Sequence, residues 1–141
     1  MILSKSTKYA IRALICISYE NARDFKPGVE AISKEIDAPQ AYTAKVLQRL
    51  TKSNLLGSAK GRGGGFFLEN PDLTPYEVIV ELEGKAYFDS CGFGVKNCSD
   101  SSPCLLHEEY KPIKEKYLML VQNRTIKMLA EDVTNDDALK L

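Results

Sequence analysis

The sequence predicts a mainly α-helical fold with one short β-hairpin, and three observations support that prediction. Apolar residues recur at three- and four-residue steps along much of the chain, which is the helical period. A glycine run at residues 61–65 lies between two short apolar segments, as at a hairpin tip. A cysteine-rich segment at residues 90–107 precedes a further helical pattern. The 141 residues suit one domain, or one small domain with an extension.

The first half of the chain contains three predicted helices, over residues 4–21, 29–36 and 39–53. Pro39 suits the first position of the third helix, where its missing N–H costs nothing. Cys16 lies in an apolar run of the first helix, so we expect it to be an inert core residue. The second and third helices are joined by a tight turn, which is the outline of a helix-turn-helix.

The surface predicted for the third helix and the hairpin is basic. Segments 55–60 and 66–69 are strand candidates, and Lys60 and Arg62 would project from the glycine-rich tip between them. A basic hairpin directly after a helix-turn-helix is a wing that reaches the DNA minor groove. The glycine run lacks a Gly-Lys-Ser/Thr ending and opens no helix, which argues against a nucleotide loop. Residues 1–70 are therefore predicted to be a winged helix-turn-helix DNA-binding region.

Charge is distributed unevenly between the two halves of the chain. The whole chain has 19 basic and 19 acidic residues. Residues 1–68 carry 11 Lys/Arg and 5 Asp/Glu, which leaves 8 and 14 for residues 69–141. The balance is +6 in the first half and −6 in the second. A basic half suits a polyanion, and the acidic half is expected to have another task.

The second half concentrates metal-ligand residue types. Cys91, Cys98, Cys104 and His107, the only histidine of the chain, fall within 17 residues. Thiolates and imidazole suit iron–sulfur clusters or zinc and suit magnesium or calcium poorly. Disulfides would leave one of the three cysteines unpaired, and reactive metal-free thiols remain an alternative. With no apolar signal segment at its start, the chain is expected to work in the reducing cytoplasm, and no stretch approaches the length of a membrane span.

Helices are predicted around and after this segment. Thr74 and Pro75 open a short helix over residues 76–83 in a linker, residues 71–89. Ser102 and Pro103 read as an N-cap and first helical residue, which would place Cys104 and His107 on one face of a first turn. The long helix that follows carries apolar residues suited to a dimer interface, namely Tyr110, Ile113, Tyr117, Leu120 and Val121.

The remainder of the second half is predicted to be short and simple. Thr125 would cap a final helix that ends near Ala130, which completes the dimerisation region, residues 103–133. Residues 134–141 are expected to form a flexible tail.

The chain resembles the winged-helix, iron–sulfur cluster-binding transcription regulators typified by IscR and NsrR, and is closest to IscR-like members. The resemblance runs from about Leu3 to Val133. It rests on the segments 6–14 (STKYAIRAL) and 60–68 (KGRGGGFFL), on Ala31-Ile32-Ser33, and on the cysteine triplet.

The resemblance implies a homodimer that binds a double-stranded, roughly palindromic operator. It makes the three cysteines cluster ligands and His107 the fourth ligand of a 2Fe–2S cluster. In NsrR-like members, an acidic residue of the partner's first helix supplies that ligand, but Lys8 and Arg12 occupy the matching region here. The 2Fe–2S type is therefore favoured over 4Fe–4S. Six residues separate Cys91 from Cys98, where the family pattern leads us to expect five.

The predicted function is a transcriptional regulator, not an enzyme, whose DNA affinity follows the state of the cluster as it senses iron–sulfur, redox or nitric oxide status. A zinc- or thiol-based regulator is the alternative, and a small redox carrier a weaker one. The residues expected to contact DNA come from the first helix, the third helix and the wing: Ser4, Ser6, Tyr9, Gln40, Tyr42, Thr43, Lys45, Arg49, Lys60 and Arg62.

Overall fold

The computed structural model describes residues 2–95, 98–134 and 138–140. Within these ranges the chain forms seven helices and a two-stranded antiparallel sheet. In chain order the elements are α1 (Lys5–Asn21), α2 (Val29–Glu35), α3 (Gln40–Lys52), β1 (Gly57–Ala59), β2 (Gly65–Phe67), α4 (Pro75–Glu83), α5 (Ala86–Asp89), α6 (His107–Asn123) and α7 (Ile126–Glu131). The predicted fold class, mainly helical with a small wing, is confirmed.

Helix α1 is the centre of the main core. Ser4 caps it by accepting a hydrogen bond from the Thr7 N–H at 3.2 Å. Ala10, Leu14 and Ile17 are fully buried and pack in one cluster with apolar residues of α2, α3 and α7. Cys16 belongs to the same cluster, and burial raises the pKa of its thiol to about 12. The prediction that Cys16 lies in the core is confirmed.

The hairpin rests against the loop between α1 and α2. In the sheet, Gly57 pairs with Phe67. The Phe66 N–H donates to the Pro27 carbonyl at 2.9 Å. Gly65 has a φ of +146°, and a Cβ there would lie 2.1 Å from the Lys26 oxygen. Only glycine allows this close approach, so the wing is held to the helix-turn-helix.

A second, smaller core joins the linker helix to the long helix. Ile79 of α4, Phe88 of α5 and Val121 of α6 are buried together. The Tyr76 and Phe88 rings stack with centroids 5.0 Å apart. Because Cys91 follows α5 by two residues, this core anchors the start of the cysteine loop.

The C-terminal end of α4 is tied to two helices of the DNA-binding half. The Glu83 carboxylate accepts hydrogen bonds from the Ser4 N–H at 2.8 Å and from the Thr7 hydroxyl at 2.5 Å. The Arg49 guanidinium of α3 donates to the Glu81 carbonyl at 2.9 Å. A cation at these carbonyls also suits the negative end of the helix dipole.

Two helix starts differ from the prediction. Pro39 is the N-cap of α3 and not its first residue. Helix α6 begins at His107, so Cys104 lies outside it. The reason is that Ser99 and Ser102 exchange two backbone hydrogen bonds, of 3.2 and 3.1 Å, which hold Ser102 in a tight turn and prevent it from capping a helix.

The predicted flexible tail, residues 134–141, also needs correcting at Leu139. Its side chain is buried in the main core, and its carbonyl accepts a hydrogen bond from Arg12 at 2.8 Å. Residues 135–137 and 141 lie outside the described part of the chain.

Candidate functional site

The three predicted cysteine ligands lie together. The sulfur atoms of Cys91, Cys98 and Cys104 are all within 4.8 Å of one another, and each side chain is half-buried. The Cys104 N–H donates to the Cys98 sulfur at 3.4 Å, and a turn at Gly94, with a φ of +74°, folds the loop back. A loop distant from the wing thus presents three convergent thiols.

His107 contacts one corner of this triplet. Its Nδ1 lies 3.4 Å from the Cys98 sulfur, and its Nε2 lies 2.9 Å from Oδ1 of Asp100. The side chain is 15% exposed. The first turn of α6 therefore directs the imidazole at the loop, although Cys104 is not on that helix.

The loop backbone influences the thiols. The pKa of Cys91 is lowered, mainly because the N–H groups of Phe93 and Val95 donate to its sulfur. The pKa of Cys98 is raised on balance: the Cys104 N–H lowers it, but partial burial and the two neighbouring thiols outweigh that effect. The backbone N–H groups of the loop therefore favour the thiolate form of Cys91.

The donor set fits a metal or a small cluster. A cavity of about 290 Å³ adjoins the thiols and His107. Sulfur and nitrogen bound to one tetrahedral ion, at about 2.3 and 2.0–2.1 Å, stand roughly 3.6 Å apart. The 3.4 Å between Cys98 and His107 is close to that value. Three thiols with one imidazole are the donors that soft and borderline metals prefer.

Several residues that we expect to contact DNA lie on the surface at the start of α3 and at the wing. Gln40, Lys45, Lys60 and Arg62 are exposed. Beside them, Lys5, Tyr9, Tyr42 and Lys45 line a shallow groove between α1 and α3. Tyr9 is largely buried and meets Tyr42 edge to face at 5.3 Å, so it shapes the groove floor. Ser6 is half-buried in the first turn of α1.

Three residues expected to contact DNA also make contacts within the chain. Thr43 is buried, and its hydroxyl donates to the Pro39 carbonyl at 3.0 Å, so it faces the core and not the groove. Arg49 is bound to the end of α4, and Ser4 caps α1. Helical period alone could not distinguish the buried Thr43 from its exposed neighbours.

The residues expected at a dimer interface divide into two groups. Ile113 is 56% exposed and Leu120 is 60% exposed on α6. Val121 is buried against Ile79 within the chain, and the half-buried Tyr117 packs on the same cluster. Tyr110 meets Phe93 edge to face at 5.5 Å and supports the cysteine loop.

The sequence reasoning missed one residue of the site. Asp100 accepts hydrogen bonds from His107 and from Lys111, the latter at 3.0 Å. These two bonds lower the pKa of Asp100, with Lys111 the larger cause. A usable signal was the four-residue step from His107 to Lys111, which places both side chains on one helical face.

The fold and the site define a class of protein. DNA-binding transcription regulators combine a winged helix and a basic surface, which here are joined to a loop of convergent thiols. The family described as "Rrf2: Iron-dependent Transcriptional regulator" matches residues 3–132. The chain belongs to the Rrf2 family and is a transcriptional regulator, not an enzyme.

Individual relatives agree with this assignment. A protein of Aquifex aeolicus, named as a candidate HTH-type transcriptional regulator, is 34% identical over 92% of this chain and 91% of its own. The HTH-type transcriptional regulator IscR of Yersinia pestis is 26% identical, covering 100% of this chain and 84% of its own.

Solved structures share the fold. CymR, the global cysteine regulator of B. subtilis, superposes with a TM-score of 0.77 at 18% identity, over 95% of this chain and 99% of its own. IscR of T. potens gives a TM-score of 0.71 at 17% identity, over 94% and 88%. Among the described residues, no helix is long and apolar enough to cross a membrane.

Proposed function

We propose that this chain is a homodimeric, sequence-specific regulator whose affinity for DNA is controlled by an iron–sulfur cluster. The ligands are Cys91, Cys98, Cys104 and His107. The observation that carries the proposal is the convergence of three sulfur atoms within 4.8 Å on a loop beside α6. The iron dependence in the family's description supports iron as the metal.

A 2Fe–2S cluster is the form that these donors favour. An imidazole in place of a thiolate makes a cluster less negative and raises its reduction potential. When bound, the cluster supplies a redox- and nitric oxide-sensitive centre. The three half-buried cysteines and His107 would hold it beside an open cavity, which would give small signal molecules access.

The homodimer is supported by the outer face of α6. Ile113, Met119 and Leu120 are each more than half exposed, which is unusual for large apolar side chains on one helix. Pairing two such faces would set the distance between two α3 helices, and hence the half-site spacing of the operator.

A route between loop and DNA follows from the packing. The cysteine loop starts after Phe88, which packs on Ile79 of α4. The end of α4 in turn receives Arg49 from the recognition helix α3. A loop that orders around the cluster would therefore fix α4, and α4 would fix the recognition helix.

Zinc is a second candidate for the same site. The 3.4 Å between Cys98 and His107 fits one tetrahedral zinc ion as well as one iron. A zinc-bound protein would be a winged-helix regulator in which the metal has a structural role or the thiols respond to oxidants.

The test is anaerobic purification with visible absorption, iron, sulfide and zinc analysis, followed by DNA binding with and without the metal. Equal iron and sulfide at two per chain, and a change of operator affinity on cluster loss, are expected. A colourless zinc protein after attempted reconstitution would favour the second candidate. Cys98→Ser should abolish the absorption and alter operator affinity, whereas Cys16→Ser should leave the absorption unchanged because Cys16 is in the core.

A further inference from the structure

A chain of three side chains lies outside the thiol triplet. The Lys111 ammonium lies 3.0 Å from Oδ1 of Asp100, and the same oxygen lies 2.9 Å from Nε2 of His107. The other imidazole nitrogen, Nδ1, lies 3.4 Å from the Cys98 sulfur. The two nitrogens of one ring thus face a carboxylate on one side and the thiol site on the other.

The carboxylate determines which nitrogen carries the proton. Paired with Lys111, Asp100 is ionised at neutral pH, and an ionised carboxylate only accepts hydrogen bonds. Nε2 must therefore donate. In a neutral imidazole the remaining nitrogen, Nδ1, then has a free lone pair.

That lone pair is directed at the cysteine site. A histidine binds a metal through an unprotonated nitrogen, and a carboxylate on the opposite nitrogen is the usual device that orients the ring and raises its basicity. We propose that Asp100, held by Lys111, is a positioning residue that fixes His107 as the Nε2–H tautomer and presents Nδ1 as the ligand atom. The inference deepens the proposed function and rests on it for the identity of the bound group.

Exposure limits the size of the effect. The Asp100 side chain is 73% exposed and that of Lys111 is 44% exposed, so water competes for both bonds. Loss of an outer carboxylate costs metal sites about 10- to 100-fold in affinity. For this exposed pair we expect Asp100→Ala to shorten the half-life of the cluster towards a chelator by about 10-fold, the lower end of that range.

The single histidine makes the tautomer directly measurable. In full-length, cluster-free protein, a long-range ¹H–¹⁵N correlation spectrum contains one imidazole. The spectrum is recorded at about pH 8.5, so that the two tautomers of a neutral imidazole are the species compared. The wild type should show protonated Nε2 and bare Nδ1, and Asp100→Ala should show a mixture. Asp89→Ala, which removes an exposed carboxylate two residues before Cys91, is the matched control and should leave the tautomer unchanged.

The reconstituted protein provides the second readout. Histidine labelled with ¹⁵N at Nδ1 alone should give a strong hyperfine coupling in the reduced cluster, and labelling at Nε2 a weak one. In a His107→Cys background, where a thiol is the fourth ligand, adding Asp100→Ala should no longer shorten the half-life. That comparison separates positioning of the imidazole from general support of the loop.

The outcomes distinguish this inference from the proposed function. A wild-type ring protonated at Nδ1, or a strong coupling at labelled Nε2, overturns the positioning role even in a protein that holds a cluster. An unchanged tautomer in Asp100→Ala overturns it as well. The expected tautomers in a protein that assembles no cluster would support the positioning role and refute the cluster-controlled regulator.

Discussion

Replacing Glu83 should cost this protein a sizeable part of its stability. Glu83 ends α4, and its carboxylate accepts two hydrogen bonds from the start of α1, at 2.8 Å from the Ser4 N–H and 2.5 Å from the Thr7 hydroxyl. Hydrogen bonds to a charged group contribute about 1.5–3 kcal/mol each. The Ser4 N–H is exposed and regains water in a variant, so Glu83→Ala should cost about 2 kcal/mol.

The melting temperature gives the assay. Unfolding entropy is about 2.1 cal/mol/K per residue, or about 0.3 kcal/mol/K for 141 residues. A loss of about 2 kcal/mol therefore lowers the melting temperature by about 7 °C. Glu83→Gln keeps an acceptor oxygen and should lose about half of that. Calorimetry of cluster-free protein at one fixed concentration removes effects of ligand and assembly.

The same carboxylate predicts a pH dependence. Burial alone would raise the pKa of Glu83, but the hydrogen bonds from Ser4 and Thr7 outweigh it, and the folded pKa is lowered. The stabilisation that the Glu83 carboxylate provides is therefore complete above its unfolded pKa of about 4.3. It is lost as the pH falls through the lowered pKa of the folded state. The difference in melting temperature between the wild type and Glu83→Gln should therefore become smaller as the pH falls through that acid range.

A Glu83→Ala melting temperature equal to that of the surface control Glu115→Ala would refute the reasoning.

Three further changes test the wing and the core. Arg62→Ala should lower the magnitude of the slope of log affinity against log salt concentration by about 0.9 per lost phosphate contact, as measured by anisotropy with a labelled duplex. An unaltered slope would remove the wing tip from the DNA contacts. Leu14→Ala, at a fully buried position, should cost about 2–5 kcal/mol in denaturant unfolding, and a loss below 1 kcal/mol would contradict its place in the core. Gly65→Ala should cost about 1–3 kcal/mol of stability and weaken DNA binding, because the added Cβ would clash with the Lys26 oxygen. In the control Gly28→Ala the added Cβ meets nothing within 4 Å. Equal losses of stability in the two variants would rule out that clash.

The helices could be predicted because their signals are local. Thr74 caps α4 with a reciprocal hydrogen bond from Glu77, and Thr125 caps α7, and both are visible in the sequence as a capping residue before an apolar run. The wing could be predicted as well, because a glycine run between two apolar segments is typical of a hairpin tip. Helix α5, at four residues, was too short to give a period.

The start of α6 could not be predicted, because the helix-start signal in the sequence was outweighed by backbone pairing between two loop residues. Ser102 and Pro103 have the composition of a helix start, but the backbone bonds between Ser99 and Ser102 close a tight turn first. Leu139 is a similar case: its side chain packs in the main core, and its carbonyl accepts a hydrogen bond from Arg12, which is distant in sequence. Side-chain chemistry identified the thiols, whereas the role of Asp100 required knowing where the turn places it.

Arg49 shows that a basic residue predicted to contact DNA can also make a contact within the chain. Its position made it a candidate DNA contact, yet its guanidinium lies 2.9 Å from the Glu81 carbonyl at the end of α4. That helix is bound to α1 through Glu83 and packs on Phe88 just before the cysteine loop. Arg49 therefore connects α3 to the end of α4, while Lys45 and Arg62 are exposed at the start of α3 and at the wing.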